Sequence, residues 1–523
     1  MAHCPFVTVE EMEKRNSRIW WLCGILLLLG LFYRLPTSLS YSLHFDEPFW
    51  MLRGEWLLEQ LESGSWNTLT REFWNVRRVD PDGPVYVASM GSGVPAALVT
   101  GLGQRWGGVE GSASPGRVPK ARLFHALLSS LTPALLTGLA WACGMAWPGL
   151  LAFGSFLLLS PQLRTFTAIA HMESVLAITL LGSVLLFEAG RTRRRWLWIV
   201  LGGLVYGVGF ATRVNAASAF LTLLVFLVLE AARQPVWRDR RWKTWGLLEL
   251  LCFGSFGYLS FLILFPPIWP SPVFGFLRFL FQYGGAAGAA TRFEVLGAMF
   301  PDSLIWVNQL FAALAICGLG MREVRRQRLF QLCWIFLIIS LTILSQSVTL
   351  ANARYLTSVV PALGGAGAVT VGSLWFRFGL ESRLRAVEMA GLLTLLGLGF
   401  FSLIRERERE SELSTFYSRI SIQLFSEVQF WRPDFRVLHQ SELSARPRLH
   451  IATPAWHVPI TYLGLGMSDL RRREYWEEGW IRDNQEVDKV CRPGDWILSE
   501  YEDEIAGLID RRQLHTLVFG QCP

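Results

Sequence analysis

His44-Phe45-Asp46-Glu47-Pro48-Phe49-Trp50 sets two adjacent carboxylates at the start of an amphipathic segment, Phe49 to Leu61, directly after the first long apolar run. Pro48 suits the first turn of a helix, where a missing N–H costs nothing. Asp46 or Glu47 suits the capping position and the positive end of the helix dipole. Acidic helix starts are common, and capping alone explains such a pair without any chemistry. Position argues for more. The pair follows a first spanning helix in a chain that is mostly membrane, so it lies at a membrane surface.

The membrane assignment rests on composition. The 523 residues are 52% hydrophobic and include 23 Trp and 35 Phe, more apolar material than a soluble protein of this size buries comfortably. A net charge of +7 would point to nucleic acid in a soluble protein. Here the basic residues fall in short clusters between apolar runs, as topology signals do, which excludes that reading. Glu10, Glu11, Glu13, Lys14 and Arg15 precede the first run and no small-residue cleavage site follows it, so the run reads as a retained anchor. Cys23, Cys143, Cys252, Cys317 and Cys333 lie in or beside apolar runs and read as buried thiols.

A hydrocarbon core of about 30 Å needs roughly twenty apolar residues per helix, and about eleven segments qualify. They are Ile19 to Leu35, Leu123 to Cys143, Pro148 to Leu163, Val175 to Ala189, Trp196 to Ala211, Ala216 to Ala231, Trp245 to Phe265, Leu304 to Gly320, Leu329 to Val348, Leu356 to Phe376 and Ala386 to Ile404. The loops test this division. Arg191, Arg193, Arg194 and Arg195 share one loop, Arg233 to Lys243 a second, Arg322 to Arg328 a third, and Arg377, Arg383 and Arg385 a fourth. These are alternate loops, which the positive-inside rule assigns to the cytoplasm together with Lys14, Arg15 and Arg18. One span gained or lost in the middle would break the alternation.

This orientation sends the loop Pro36 to Ala121 outward, with Asp46 and Glu47 in it, together with the tail from Arg405. In that loop, Phe49, Trp50, Leu52, Trp56, Leu57, Leu58 and Leu61 recur at helical spacing among charges, as in a helix lying in the membrane interface, and Gly64 stops it. Arg77 to Pro84 reads as a polar turn, and Val85 to Leu102 as a second interfacial helix. The expected organisation is therefore a cytoplasmic N-terminus (1–18), a transmembrane module (19–404) with the first outer loop at 36–121, and an exoplasmic domain (405–523). In the tail, Leu449 to Ala452, Asp495 to Leu498 and Leu514 to Phe519 read as strands and Glu502 to Arg511 as a helix, giving a small α/β domain. Its two cysteines, Cys491 and Cys522, are free to pair in an oxidising compartment, although spacing does not establish the geometry.

An outward Asp-Glu after the first span, an interfacial helix ending near Gly64-Ser65-Trp66, many spans and an exoplasmic C-terminal domain resemble the GT-C fold glycosyltransferases. The likeness is to the polyprenyl-phosphate-sugar-dependent branch related to protein O-mannosyltransferases and lipid A aminoarabinose transferases. Further matches are Ala170-His171-Met172-Glu173, Pro266-Pro267-Ile268-Trp269-Pro270, and Ala353-Arg354-Tyr355-Leu356 with Pro361. The resemblance covers about Trp20 to Phe376 and rests on the order of the motifs. Relatives often carry a His-Pro-Pro element in the first loop, where this chain has Asp80-Pro81-Asp82-Gly83-Pro84. That departure bears on donor or acceptor preference.

The resemblance implies transfer of a sugar from a polyprenyl phosphate to a hydroxyl of a glycan, lipid or protein on the outer face of a bacterial inner or plasma membrane, with inversion. Such transfer requires a base for the acceptor proton, and Asp46 is the candidate, with Glu47 capping the helix or ordering the site. Glu173 and Asp82 are candidates for a second carboxylate, although a cap or interhelical hydrogen bond explains Glu173 as well. Arg354, Arg213, Arg77 and Arg78 are candidates for stabilising the leaving phosphate, against the alternative of snorkelling headgroup contacts. His171 and Tyr355 are further candidates. His44 reads as a local hydrogen-bonding partner, since no second His lies at ligand spacing, and neither metal nor other cofactor is expected. Two other readings remain: a polytopic transporter or lipid flippase, and a non-catalytic subunit of the same fold. A transporter would show repeated halves and midplane charges, whereas the charges here gather at the outer ends of the spans.

Overall fold

The computed structural model describes residues 9–40, 47–71, 76–80, 83–88, 93–106, 118–233, 240–284, 306–347, 353–378, 449–451, 496–499, 509–514, 517–521 and 523. The first helix, α1, runs Val9–Ser40, and the helix α2 runs Glu47–Glu62. Gly64 ends α2 with a positive φ of 64°. The Gly64 N–H donates to the Leu61 carbonyl and the Ser65 N–H to the Gln60 carbonyl, the paired bonds of a Schellman stop. A short helix α3 (Trp66–Arg71) follows, then the antiparallel strands β1 (Val76–Asp80) and β2 (Gly83–Ala88), and then helix α4 (Val94–Trp106).

This differs from the expected second interfacial helix at Val85 to Leu102. The polar turn is the tip of a hairpin, with Asp80 opposite Gly83, and the helix starts only at Val94. The reason lies in the packing of α2 and α4, which run parallel. Gly54 meets the Gly101 backbone, and farther along Arg105 pairs with Glu62 at 2.5 Å. Two parallel helices cannot be joined by a tight turn, and α3 with the hairpin supplies the return.

Helices α5 (Val118–Ala142), α6 (Trp147–Leu159), α7 (Pro161–Ala168), α8 (Glu173–Arg193), α9 (Trp196–Thr212), α10 (Ala217–Arg233), α11 (Arg240–Leu264) and α12 (Pro272–Gly284) come next. After them come the helices Trp306–Gly320, Arg328–Ser347 and Val360–Arg377. Six described helices are long and apolar enough to cross a membrane, and Trp147–Leu159, Trp196–Thr212 and Val307–Gly320 are shorter apolar helices. The chain is a multi-pass membrane protein. The expected eleventh span, Ala386 to Ile404, lies outside the described residues. The expected span Pro148 to Leu163 is broken at Ser160, because Pro161 forces the residue before it out of the helical region.

Helix α8 is buried along most of its length and is the axis of the bundle. Its apolar character all round suits that place. Small residues bring other helices close: Gly203 of α9 lies against the Phe253 carbonyl of α11, and Gly30 of α1 against the Ser130 carbonyl of α5.

The basic clusters of the sequence meet at one end. There Arg191 of α8 bonds Glu230 of α10 and Glu249 of α11, each at 2.9 Å. Arg328 bonds Glu188 at 2.6 Å and also Glu230. Helices 306–320 and 360–377 end there too, with Gln327 donating to Ser373 at 2.8 Å.

In the tail, β3 (Leu449–Ile451), β4 (Trp496–Ser499), β5 (Ile509–Leu514) and β6 (Leu517–Gln521) form a sheet of order β3-β4-β6-β5, with β3 and β4 parallel and the other pairs antiparallel. The first two expected strands are present to within a residue, whereas the third, Leu514 to Phe519, begins three residues later, at Leu517, and its first residue ends β5. The expected helix Glu502 to Arg511 is not helical over Ile509 to Arg511, which belong to β5; Ile509 pairs with Gln521 of β6, and the register shifts before Arg512. A hairpin partner a few residues away decides the matter against local helical preference. Its remaining residues, and Cys491 and Cys522, lie outside the described residues.

Candidate functional site

The other end of the bundle gathers the start of α2, the start of α8, the end of α9 and the turn Ala353–Leu356. Trp50, in the first turn of α2, is the wedge that joins them. It is buried, meets the His171 ring edge to face at 5.5 Å, and carries the Arg53 guanidinium 4.8 Å from its ring centre. Gly93, just before α4, has a φ of 86° and donates its N–H to the Ala211 carbonyl at the end of α9 at 3.1 Å. The Trp50 ring fills the space where a side chain on Gly93 would stand. Glycine is required there both for backbone conformation and for room.

Glu173 opens α8 with no exposed surface. Its partner is Arg213, 3.6 Å away, in the extended residue between α9 and a single 3-10 turn, Val214–Ala216. That separation is an ion pair without a hydrogen bond, and neither carboxylate oxygen has a hydrogen-bond partner. The Arg213 guanidinium stacks on Tyr355, 4.4 Å from the ring centre. The Arg213 side chain is 16% exposed and lies against two protein groups, the Glu173 carboxylate and the Tyr355 ring.

The structure thus brings together four of the residues singled out in the sequence: His171, Glu173, Arg213 and Tyr355. Glu47 is the first residue of α2, one turn before Trp50. Arg77 and Arg78 lie on β1, opposite Val87 and Tyr86, and Arg354 lies in the turn next to Tyr355. His44, Asp46 and Asp82 lie outside the described residues. Among the described residues, no group of three His, Cys, Asp or Glu is placed to hold a metal ion.

Two further buried groups, the first of them beside this site, carry no signal in the sequence. His125 of α5 is fully buried, with Nε2 2.8 Å from Thr100 Oγ1 of α4 and Nδ1 2.6 Å from Ser174 Oγ, the neighbour of Glu173. Thr100 Oγ1 also donates to the Ala96 carbonyl and Ser174 Oγ to the His171 carbonyl, so the ring bridges two hydroxyls that are each tied to the backbone. The imidazole thereby ties α4 to the start of α8. Arg34 near the end of α1 is also fully buried. It donates to the Ser129 carbonyl, to Ser129 Oγ at 2.8 Å, and to the Leu157 carbonyl at 2.5 Å, holding α1 against α5 and α6. Both residues sit singly in apolar helices, and their partners are 25 to 123 residues away. No local pattern announces them.

Residues 118–258 match the family model described as dolichyl-phosphate-mannose-protein mannosyltransferase. Among solved structures, the chain is similar to ArnT from Cupriavidus metallidurans in the apo state, with a TM-score of 0.51, 15% identity, and coverage of 97% of this chain and 98% of that one. It is similar to the archaeal oligosaccharyltransferase AglB from Archaeoglobus fulgidus in complex with an inhibitory peptide and a dolichol-phosphate, with a TM-score of 0.51, 11% identity, and coverage of 93% of this chain and 69% of that one. No curated protein sequence matches the chain. The resemblance to GT-C fold glycosyltransferases of the polyprenyl-phosphate-sugar-dependent branch, read from the sequence, is borne out by these matches.

Proposed function

We propose that the protein is a membrane glycosyltransferase that moves a sugar from a polyprenyl phosphate to a hydroxyl acceptor on the exoplasmic face, with inversion. The observation that carries this reading is the buried Glu173–Arg213–Tyr355 constellation, at the bundle end where α2 begins and opposite the basic clusters. Charges at helix ends suit a reaction at the membrane surface better than passage through the bilayer midplane, which sets the transporter reading aside. The matched family model and the dolichol-phosphate bound to AglB support a lipid-phosphate donor.

In this reading, Asp46 accepts the proton of the acceptor hydroxyl as that oxygen bonds the anomeric carbon. The bond from the anomeric carbon to the phosphate oxygen breaks, and its electron pair leaves with the polyprenyl phosphate. Attack opposite to departure inverts the anomeric centre. Arg354 and Arg213 meet the phosphate charge, with Arg77 and Arg78 on the hairpin as further cationic groups. Glu47 caps α2 and Glu173 holds Arg213. By the positive-inside rule the basic end is cytoplasmic, which puts this site outside, and a bacterial inner or plasma membrane fits that arrangement.

The test is Asp46→Asn in the full-length protein. General-base removal lowers transfer by about 10²- to 10⁴-fold with normal expression and membrane insertion. Unchanged transfer removes Asp46 from the reaction. An inert wild-type protein with every prenyl-phosphate sugar tried would favour the non-catalytic subunit.

A further inference from the structure

Four buried polar side chains around Arg213 have no hydrogen-bond partner. Both oxygens of Glu173, both polar atoms of the Asn215 amide, and the hydroxyls of Ser218 and Thr357 are unpaired. None of these residues is more than 6% exposed. They are close in the fold. Asn215 lies in the 3-10 turn directly after Arg213, and Ser218 in the first turn of α10. Thr357 follows the turn that carries Tyr355, on which Arg213 stacks, and Glu173 is the ion-pair partner of Arg213. Unpaired buried polar groups are rare in folded proteins, because each gives up its water without gaining a partner. Several in one place mark a site built for a ligand that supplies the missing partners.

We infer that Asn215, Ser218 and Thr357, with Glu173, form the subsite for the pyranose ring of the donor, with Arg213 between that ring and the phosphate. The chemistry selects a polyol. An amide and two hydroxyls each donate and accept, which matches neighbouring sugar hydroxyls. A carboxylate accepts from hydroxyls and repels a phosphate. The inference rests on the proposed function and deepens it by naming the groups that read the sugar.

An unpaired hydroxyl has an unusual mutational signature that makes the inference testable. If it has no ligand, replacing it with an apolar group leaves stability unchanged or raises it, and leaves activity alone. If it holds the sugar, the same change raises stability yet weakens the donor. Ser218→Ala, Thr357→Val and Asn215→Leu are to be made in the full chain, purified in nanodiscs. Thermal unfolding is measured, with donor KM and kcat for short-chain prenyl-phosphate pyranosides differing only in the sugar, and inhibition by the free prenyl phosphate.

The expected result is unchanged or higher thermal stability, a donor KM raised about 3- to 10-fold per variant, and an inhibition constant for the free prenyl phosphate that does not move. Thr357→Ser, which keeps the hydroxyl, retains the wild-type KM. Higher stability with unchanged donor kinetics overturns the inference. Equal weakening of the glycosylated and free lipid phosphates also overturns it, because the groups would then serve the phosphate. Loss of stability with no recovery in Thr357→Ser overturns it in favour of packing. Failure of the proposed function reads differently: no wild-type turnover on any donor, or normal turnover by Asp46→Asn.

Discussion

Glu173 is held by charge rather than by hydrogen bonds. Its carboxylate is fully buried, and the guanidinium 3.6 Å away is itself mostly shielded from water. A buried pair of this kind contributes little net stability, yet losing one partner leaves the other charge without compensation. Arg213→Ala is therefore expected to destabilise by about 3–5 kcal/mol, and the double variant Arg213→Ala/Glu173→Gln to recover most of that loss. Thermal unfolding of the three proteins in one detergent checks this. A double variant no more stable than the single one would show that Arg213 matters through its stacking on Tyr355 instead.

At the scale of elements, the position of α2 depends on how closely it approaches α4 and α9. Gly93 is the tightest point, since its positive φ strains any other residue and the Trp50 ring occupies the place of a Cβ. Gly93→Ala is expected to cost about 1–3 kcal/mol. It should also displace α2, so that transfer falls more than stability alone explains. Transfer measured well below the unfolding temperature separates the two. If Gly93→Ala transfers normally there, the seat of Trp50 does not position the acidic pair.

The whole molecule divides its charge between two ends. At the basic end, Arg191 is nearly buried and joins α8 to α10 and α11, while Arg328 is more exposed. Arg191→Ala is expected to lower thermal stability clearly more than Arg328→Ala, because solvent compensates a lost partner only where it reaches. Equal effects would show that the network acts through Glu188 alone. Orientation is a separate prediction. In a cysteine-free background, a membrane-impermeant maleimide added to intact cells should label Ser112→Cys in the first loop and spare Gln234→Cys in the second basic loop. The reverse pattern would place the candidate site in the cytosol and end the exoplasmic reading.

The sequence by itself determined the membrane class, the near register of most spans, the stop at Gly64 and the gathering of the basic loops at one end. Hydrophobic length, glycine conformation and charge alternation act over a few residues or a single loop, and so are written locally. It also picked out His171, Glu173, Arg213 and Tyr355 from short motifs at span ends. Only the tertiary structure decided that these four meet, that Trp50 and Gly93 lock α2 to them, and that His125 and Arg34 tie helices together from within. It also gave the first residues of an expected helix, Val85 to Ala88, to a hairpin strand, because α2 and α4 pack in parallel and need a return between them. These outcomes depend on partners far away in the chain, and close packing between distant segments leaves no periodic trace in either one.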